Sequence, residues 1–166
     1  MNVPHRGKDR QHGINALFFF PRAETSYRPI STPLGLLSIA SYLNANGHRA
    51  SICTDVTSPK RIREEIHRFQ PDIIGVSVIA VSFIKNAISV SKAAKREGKT
   101  VVWGGTMATS IPNIVLESGL ADYVSLLEGE ETWLEMANAL DNDESFDEIR
   151  GLAYLKHGKY HQTETQ

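Results

Sequence analysis

The chain has 166 residues, 41% hydrophobic and 22% charged, with a formal net charge of −1. That is enough apolar material for one core, and the charge balance leaves no electrostatic footprint for nucleic acid or an acidic membrane surface. Cys53 is the one cysteine. It excludes a disulfide framework and a cysteine-held zinc or iron–sulfur cluster within this chain, no apolar run reaches membrane-span length, and the cytoplasm is the default compartment.

Residues 1–13 are polar, basic and aperiodic, and read as a flexible arm. Residues 14–20 are nearly continuous in apolar side chains, the pattern of a strand buried on both faces. A long loop over 21–32 follows, with Pro21, Arg22, Tyr27 and Arg28. It exceeds the usual strand-to-helix connection. Thr32 is expected to cap a helix with Pro33 at its first position. Leu34, Leu37, Ile39, Ala40 and Leu43 supply that helix's apolar face, and Gly47 ends it.

Residues 48–54 form a weaker strand nearer an edge, with Cys53 as a small core side chain. A charged helix over 58–69 turns Ile62, Ile66 and Phe69 inward. Residues 72–78 are the most apolar strand and end in Ser77 and Val78. Ser82 is expected to cap the next helix, which closes at Gly98. Residues 100–109 then run from a short buried strand into Gly104-Gly105 and a helix start. Thr109 or Ser110 is expected to cap a short helix over 111–117. Residues 122–126 are the fifth strand, followed by Leu127-Glu128-Gly129 and a helix over 130–140. Glu130 and Glu131 in its first turn suit the helix dipole. Residues 141–147 are an acidic linker, and His157-Gly158 reads as a hairpin turn between two short strands.

Five strands alternating with helices predict an α/β chain with a parallel sheet and right-handed crossovers. The count fits a doubly wound, flavodoxin-like order 2-1-3-4-5 with a C-terminal hairpin extension. The loops after strands one, three, four and five then converge at one sheet edge. The double glycine there has two readings: a tight turn, or a slot that lets a ligand approach the backbone. None of these loops holds a nucleophile–base pair, a metal-ligand cluster or a phosphate-binding lysine, so the edge is built to hold rather than to react.

The segments 33–43, 46–48, 71–77, 102–109, 121–124, 128–132 and 149–154, in that order and spacing, resemble the amino-terminal cobalamin-binding domain of cobalamin-dependent radical S-adenosylmethionine enzymes. The resemblance covers residues 14 to about 163. It implies a module that binds cobalamin over 14–140 and a linker and hairpin over 141–166 leading toward a catalytic domain, present in cis or in trans. The implied contacts are Pro33, Leu34, Gly35, Ser77, Val78, Ser82, Gly104, Gly105, Thr106, Leu127, Glu128 and Gly129. Ser77 would bond the nucleotide tail, Gly104-Gly105 would approach its ribose and phosphate, and Gly75 would add to a lining of small residues. No metal-ligating residue and no catalytic activity of the chain alone are expected.

Two departures stand out. Methionine-synthase-like modules place Asp-x-His-x-x-Gly after the first strand, whereas no histidine occurs between Gly13 and Asn46. Cobalamin is therefore expected base-off, without a histidine below cobalt; the alternative nitrogen donors are the tail base or a histidine from elsewhere such as His48. The cluster motif Cys-x-x-x-Cys-x-x-Cys is also absent. Two other roles remain open on sequence: a free-standing cobalamin carrier or sensor, and a flavodoxin-like interaction domain.

Overall fold

The computed structural model describes residues 13–21, 32–54 and 58–165. Strand β1 (Asn15–Phe20) leads to α1 (Leu34–Ala45), β2 (Arg49–Thr54), α2 (Pro59–Phe69) and β3 (Ile73–Ser77). Then come α3 (Ile84–Arg96), β4 (Thr100–Gly104), α4 (Thr106–Ser110), α5 (Pro112–Glu117), β5 (Tyr123–Ser125) and α6 (Glu130–Asp141). A hairpin of β6 (Leu152–Lys156) and β7 (Lys159–Gln162) completes the order.

The strands form one sheet in the order β2-β1-β3-β4-β5-β6-β7. The expected core order 2-1-3-4-5 is present, with β1 to β5 all parallel. The hairpin does more than extend the chain: β6 joins β5 antiparallel and β7 follows β6, giving seven strands instead of five. Two hydrogen bonds hold that junction, one from Leu126 N–H to Gly151 O at 2.8 Å and one from the Thr132 side-chain hydroxyl to Arg150 O at 3.0 Å.

Period-two alternation sends strand side chains to two layers. Leu17, Phe19, Ile74, Val76, Val101, Trp103 and Val124 pack with Ile62, Ile66, Val90 and Val115, beneath α2, α3 and α5. Phe18, Phe20, Ile73, Val102 and Leu152 pack with Leu36, Leu43, Trp133 and Met136, beneath α1 and α6. The central strands are buried on both faces, which is why β1 and β3 carry apolar runs instead of alternation.

Several expected caps are not used. Pro33 itself is the N-cap of α1 and no side chain caps the helix; Thr32 contributes only its carbonyl, to Leu34 N–H at 2.9 Å. A residue preceding proline is biased toward extended backbone, and here the cap moves one position on. Ser82 lies inside a single 3-10 turn, Val81–Phe83, and α3 begins after it without a side-chain cap. Thr109 and Ser110 end α4 instead of capping α5, because Gly105 already turns the chain into a helix.

His48 stands just ahead of β2, at the amino-terminal edge of the sheet, and is buried. Ile14 N–H donates to its Nδ1 at 3.3 Å, so Nε2 carries the proton and donates to Asn138 Oδ1 at 3.1 Å. Both ring nitrogens are occupied in joining β1 to α6.

Candidate functional site

At the opposite, carboxyl edge, the α1/α6 face of the sheet opens into a slot of about 250 Å³. Two rungs of strand residues build its wall. In the inner rung Gly75 pairs with Phe18 on one side and Val102 on the other. In the outer rung Ser77 pairs with Gly104, and Ser125 lies beside Gly104 on β5. Three neighbouring strands thus end in Ser, Gly and Ser on one face, where larger side chains would fill the space. Helix α1 supplies Leu36 and Ile39, α6 supplies Trp133, and Thr32 to Gly35 and Leu127 to Glu130 border the slot.

The glycines play three different parts. A Cβ on Gly75 would lie 2.4 Å from Phe18 Cδ1 and 3.0 Å from Trp133 Cη2, so this glycine lets two aromatic side chains close over the sheet. Those rings meet edge-on with centroids 4.6 Å apart. A Cβ on Gly104 would meet nothing nearer than Ser125 O at 3.8 Å; the space above it is open. Gly105 has φ +93°, and a Cβ there would sit 3.0 Å from Val78 O. Its glycine is required by the turn into α4.

Of the residues singled out by sequence, Pro33, Leu34, Gly35, Ser77, Gly104, Gly105, Leu127, Glu128 and Gly129 line this slot. Val78, Ser82 and Thr106 do not. Val78 is fully buried in the opposite layer, the face that alternation from Ser77 assigns it. Thr106 is exposed at the start of α4, and Ser82 is in the turn before α3. Arg22, Tyr27 and Arg28 lie outside the described residues. Sequence reasoning missed Ser125, Ile39 and Trp133 as lining. The signal for Ser125 was the alternation in β5, where Val124 faces the other layer.

The slot's chemistry is neutral apart from its mouth. Glu128 and Glu130 border it, and no lysine, arginine or histidine among the described residues lines it. Ser77 and Ser125 are buried, and neither hydroxyl has a hydrogen-bond partner among the described residues. Buried hydroxyls normally find partners, so a pair left unmet on one wall marks a place for a polar ligand. Leu34, Ile79 and Leu127 stand exposed around the mouth. No group of three or more metal-ligating side chains occurs among the described residues, and none of the described helices is long and apolar enough to cross a membrane.

A doubly wound sheet with a small-residue slot at the carboxyl ends of its strands defines an α/β module with a ligand-sized opening where such sheets bind ligands. The chain belongs to the B12-binding domain family, whose description "B12 binding domain" matches residues 25–137. It is 31% identical over 156 residues to an uncharacterised methyltransferase of Pyrococcus horikoshii, covering 88% of this chain and 34% of that protein. It is 25% identical over 153 residues to the anaerobic magnesium-protoporphyrin IX monomethyl ester cyclase of Rubrivivax gelatinosus, covering 85% of this chain and 28% of that one. The chain therefore spans about a third of the length of these relatives. Among solved structures, the radical S-adenosylmethionine methyltransferase TsrM of Kitasatospora setae, with cobalamin and a [4Fe-4S] cluster bound, superposes with a TM-score of 0.81 at 18% identity. That match covers 92% of this chain and 29% of TsrM. The cobalamin-dependent S-adenosylmethionine radical enzyme OxsB, with aqua-cobalamin bound, gives 0.81 at 17% identity over 93% of this chain and 22% of OxsB. At such identities the superpositions establish a shared fold.

The cofactor this family implies is cobalamin, and the residues present fit it. The open space above Gly104 and the unmet Ser77 and Ser125 hydroxyls suit the sugar and phosphate of a nucleotide tail. The Phe18 and Trp133 rings, closed over Gly75 at the inner end, suit contact with an aromatic base. The corrin macrocycle is too broad for the slot and would remain at the mouth, against exposed apolar side chains.

Proposed function

We propose that this chain binds cobalamin base-off and serves as the cofactor module of a radical S-adenosylmethionine methyltransferase or a related enzyme. The observation that carries the reading is the outer rung, Ser77–Gly104–Ser125, a wall of small side chains with two buried hydroxyls that have no partner among the described residues. The methyltransferase named among the relatives, and TsrM among the structural neighbours, support the reaction class. Bound cobalamin would supply a cobalt centre able to carry a methyl group or exchange single electrons.

The chain's own residues have holding roles. Ser77 and Ser125 donate to tail oxygens; Gly104 leaves the room that the sugar occupies. Gly129 brings α6 close, since a Cβ there would already lie 2.8 Å from Ile39 Cδ1. Pro33, Leu34, Gly35 and Leu127 give the macrocycle an apolar seat at the mouth. In this reading, residues 14–140 are the cofactor module, residues 141–166 lead toward a catalytic domain, and the protein is cytoplasmic.

Two considerations support the base-off state. A tail inserted in the slot would hold its base away from cobalt. No histidine among the described residues lines the slot, and His48 is committed at the far edge of the sheet. The test is to equilibrate the protein with hydroxocobalamin, remove free cofactor by gel filtration, reduce to Co(II) and record the electron paramagnetic resonance spectrum. Retained cobalamin without nitrogen superhyperfine splitting is expected. Failure to retain it removes the cofactor assignment, and a three-line nitrogen pattern removes the base-off state.

A further inference from the structure

The two tryptophans of this protein are treated differently by the fold. Trp103 is buried in the α2/α3 layer, and its Nε1–H donates to Ser91 Oγ at 2.7 Å. Trp133 is equally buried, at 4% exposure, yet its Nε1–H has no acceptor among the described residues. A buried indole N–H normally finds a partner. Trp133 lines the slot, so the space its ring borders is where an acceptor can arrive from outside the chain.

The depth of the ring narrows what that acceptor is. Cη2 of Trp133 meets the sheet at Gly75, in the inner rung, while Cδ1, the neighbour of Nε1, lies towards Gly129 at the slot's border, so the ring spans the slot from its border to its inner end. Gly75 precedes Ser77 by two residues, about 7 Å along the strand. The outer rung presents hydroxyls and open backbone, suited to sugar and phosphate. At the inner rung the Phe18 and Trp133 rings close over Gly75, so the slot ends there against aromatic surface, suited to a flat aromatic ring. A tail whose sugar lies at the outer rung brings its base to the Trp133 level.

Resting on the base-off reading above, we propose that the Trp133 Nε1–H donates a hydrogen bond to the aromatic nitrogen of the tail base, the nitrogen that base-off binding frees from cobalt. Freeing that nitrogen in a buried slot leaves an acceptor without a partner, which is costly. An indole donor already buried and unmet removes both deficits at once. Trp133 is thus a positioning residue that favours the base-off form and discriminates among cobamides by their base.

The test is a cycle between one protein donor and one ligand acceptor. Trp133→Phe keeps an aromatic ring in the slot and deletes the N–H. The two probes are cobalamin and p-cresolylcobamide, whose tail ends in a phenolic ring with no nitrogen. Affinities are measured by equilibrium dialysis on the full chain. Trp133→Phe is expected to weaken cobalamin about tenfold and p-cresolylcobamide by less than about twofold. Equal losses for both ligands, or none for either, overturn the proposal. Binding of neither ligand by the parent protein overturns the cofactor reading itself, and the proposal with it.

A second measurement needs no variant. With 15N-labelled tryptophan, the indole signal of Trp133 is expected to move downfield with Co(III) cobalamin and to stay upfield with p-cresolylcobamide, while the Trp103 signal, already bonded to Ser91, stays put. An identical Trp133 shift with both ligands overturns the proposal.

Discussion

The sharpest test of the slot is a single methyl group at Gly104. Its backbone is not in the left-handed region, and a Cβ would find its nearest atoms at Ser125, 3.8 and 3.9 Å away. Those are ordinary van der Waals distances, so Gly104→Ala fits the unliganded fold without strain. Removing a glycine from a strand also lowers the entropy of the unfolded chain, a gain of about 0.4–1 kcal/mol. The same methyl projects into the slot beside Ser77 and Ser125. Inserting a methylene-sized group into a tightly packed contact costs about 1–3 kcal/mol, which corresponds to an affinity loss of about 5- to 150-fold. Stability and affinity are thus expected to move in opposite directions. The assays are thermal unfolding without ligand and titration with hydroxocobalamin. An unchanged affinity with intact fold would mean that the tail does not pass over Gly104, and the slot would lose its proposed occupant.

Gly75, inside β3, and Gly105, just after β4, should behave differently from Gly104. Gly75→Ala puts a Cβ 2.4 Å from the Phe18 ring, and the overpacking should cost about 1–3 kcal/mol, read as a lower urea midpoint. Gly105→Ala forces a φ of +93° on an L side chain and meets Val78 O; a loss of about 1–2 kcal/mol is expected before any ligand is added, and a melting temperature equal to the parent's would refute it. Cys53 offers a pH test: desolvation by burial, followed by the nearby Glu65 carboxylate, pushes its thiol up to about 11 from 9.0. Below pH 9 the thiol is protonated folded and unfolded, so it has no effect; between about pH 9 and 11 only the unfolded form ionises, and this group's contribution to stability falls. Cys53→Ala should flatten that alkaline decline in the unfolding free energy, and an identical decline in both proteins would refute the assignment.

Much of this was legible before any coordinates, for identifiable reasons. Continuous apolar runs over 14–20 and 72–78 announce strands buried on both faces, and helices between them dictate a parallel sheet. Ser77 and Gly104 sit at strand ends that the topology then gathers, with Gly75 two residues further in on β3. What sequence could not assign is the division of labour in Gly104-Gly105. Both look equally suited to ligand approach until the backbone shows that Gly105 serves the turn while Gly104 leaves room. Val78 was placed with Ser77 by adjacency, although period-two alternation sends neighbours to opposite layers. The hairpin strands were visible in 152–162, but their pairing onto β5 depends on long-range register. Trp133 escaped notice for a similar reason: a buried tryptophan in an amphipathic helix reads as core, and only the packing of α6 against the slot reveals its unmet N–H.

The two edges of the sheet show how the same polar economy yields structure at one end and a site at the other. At the amino edge the buried polar groups that join elements are paired: His48 is used at both nitrogens, Asn15 N–H reaches Asp72 at 2.8 Å, and Val101 N–H reaches Asp122 at 2.8 Å. These carboxylates sit just before β3 and β5 and close the ends of neighbouring strands. At the carboxyl edge the corresponding groups, Ser77, Ser125 and Trp133, are buried without partners among the described residues. A fold selected only for stability has no reason to leave three such groups on one wall, because apolar residues of similar size would avoid the desolvation cost. Their asymmetric placement, all on the α1/α6 face and all at strand ends or above them, is what separates a ligand slot from a packing defect.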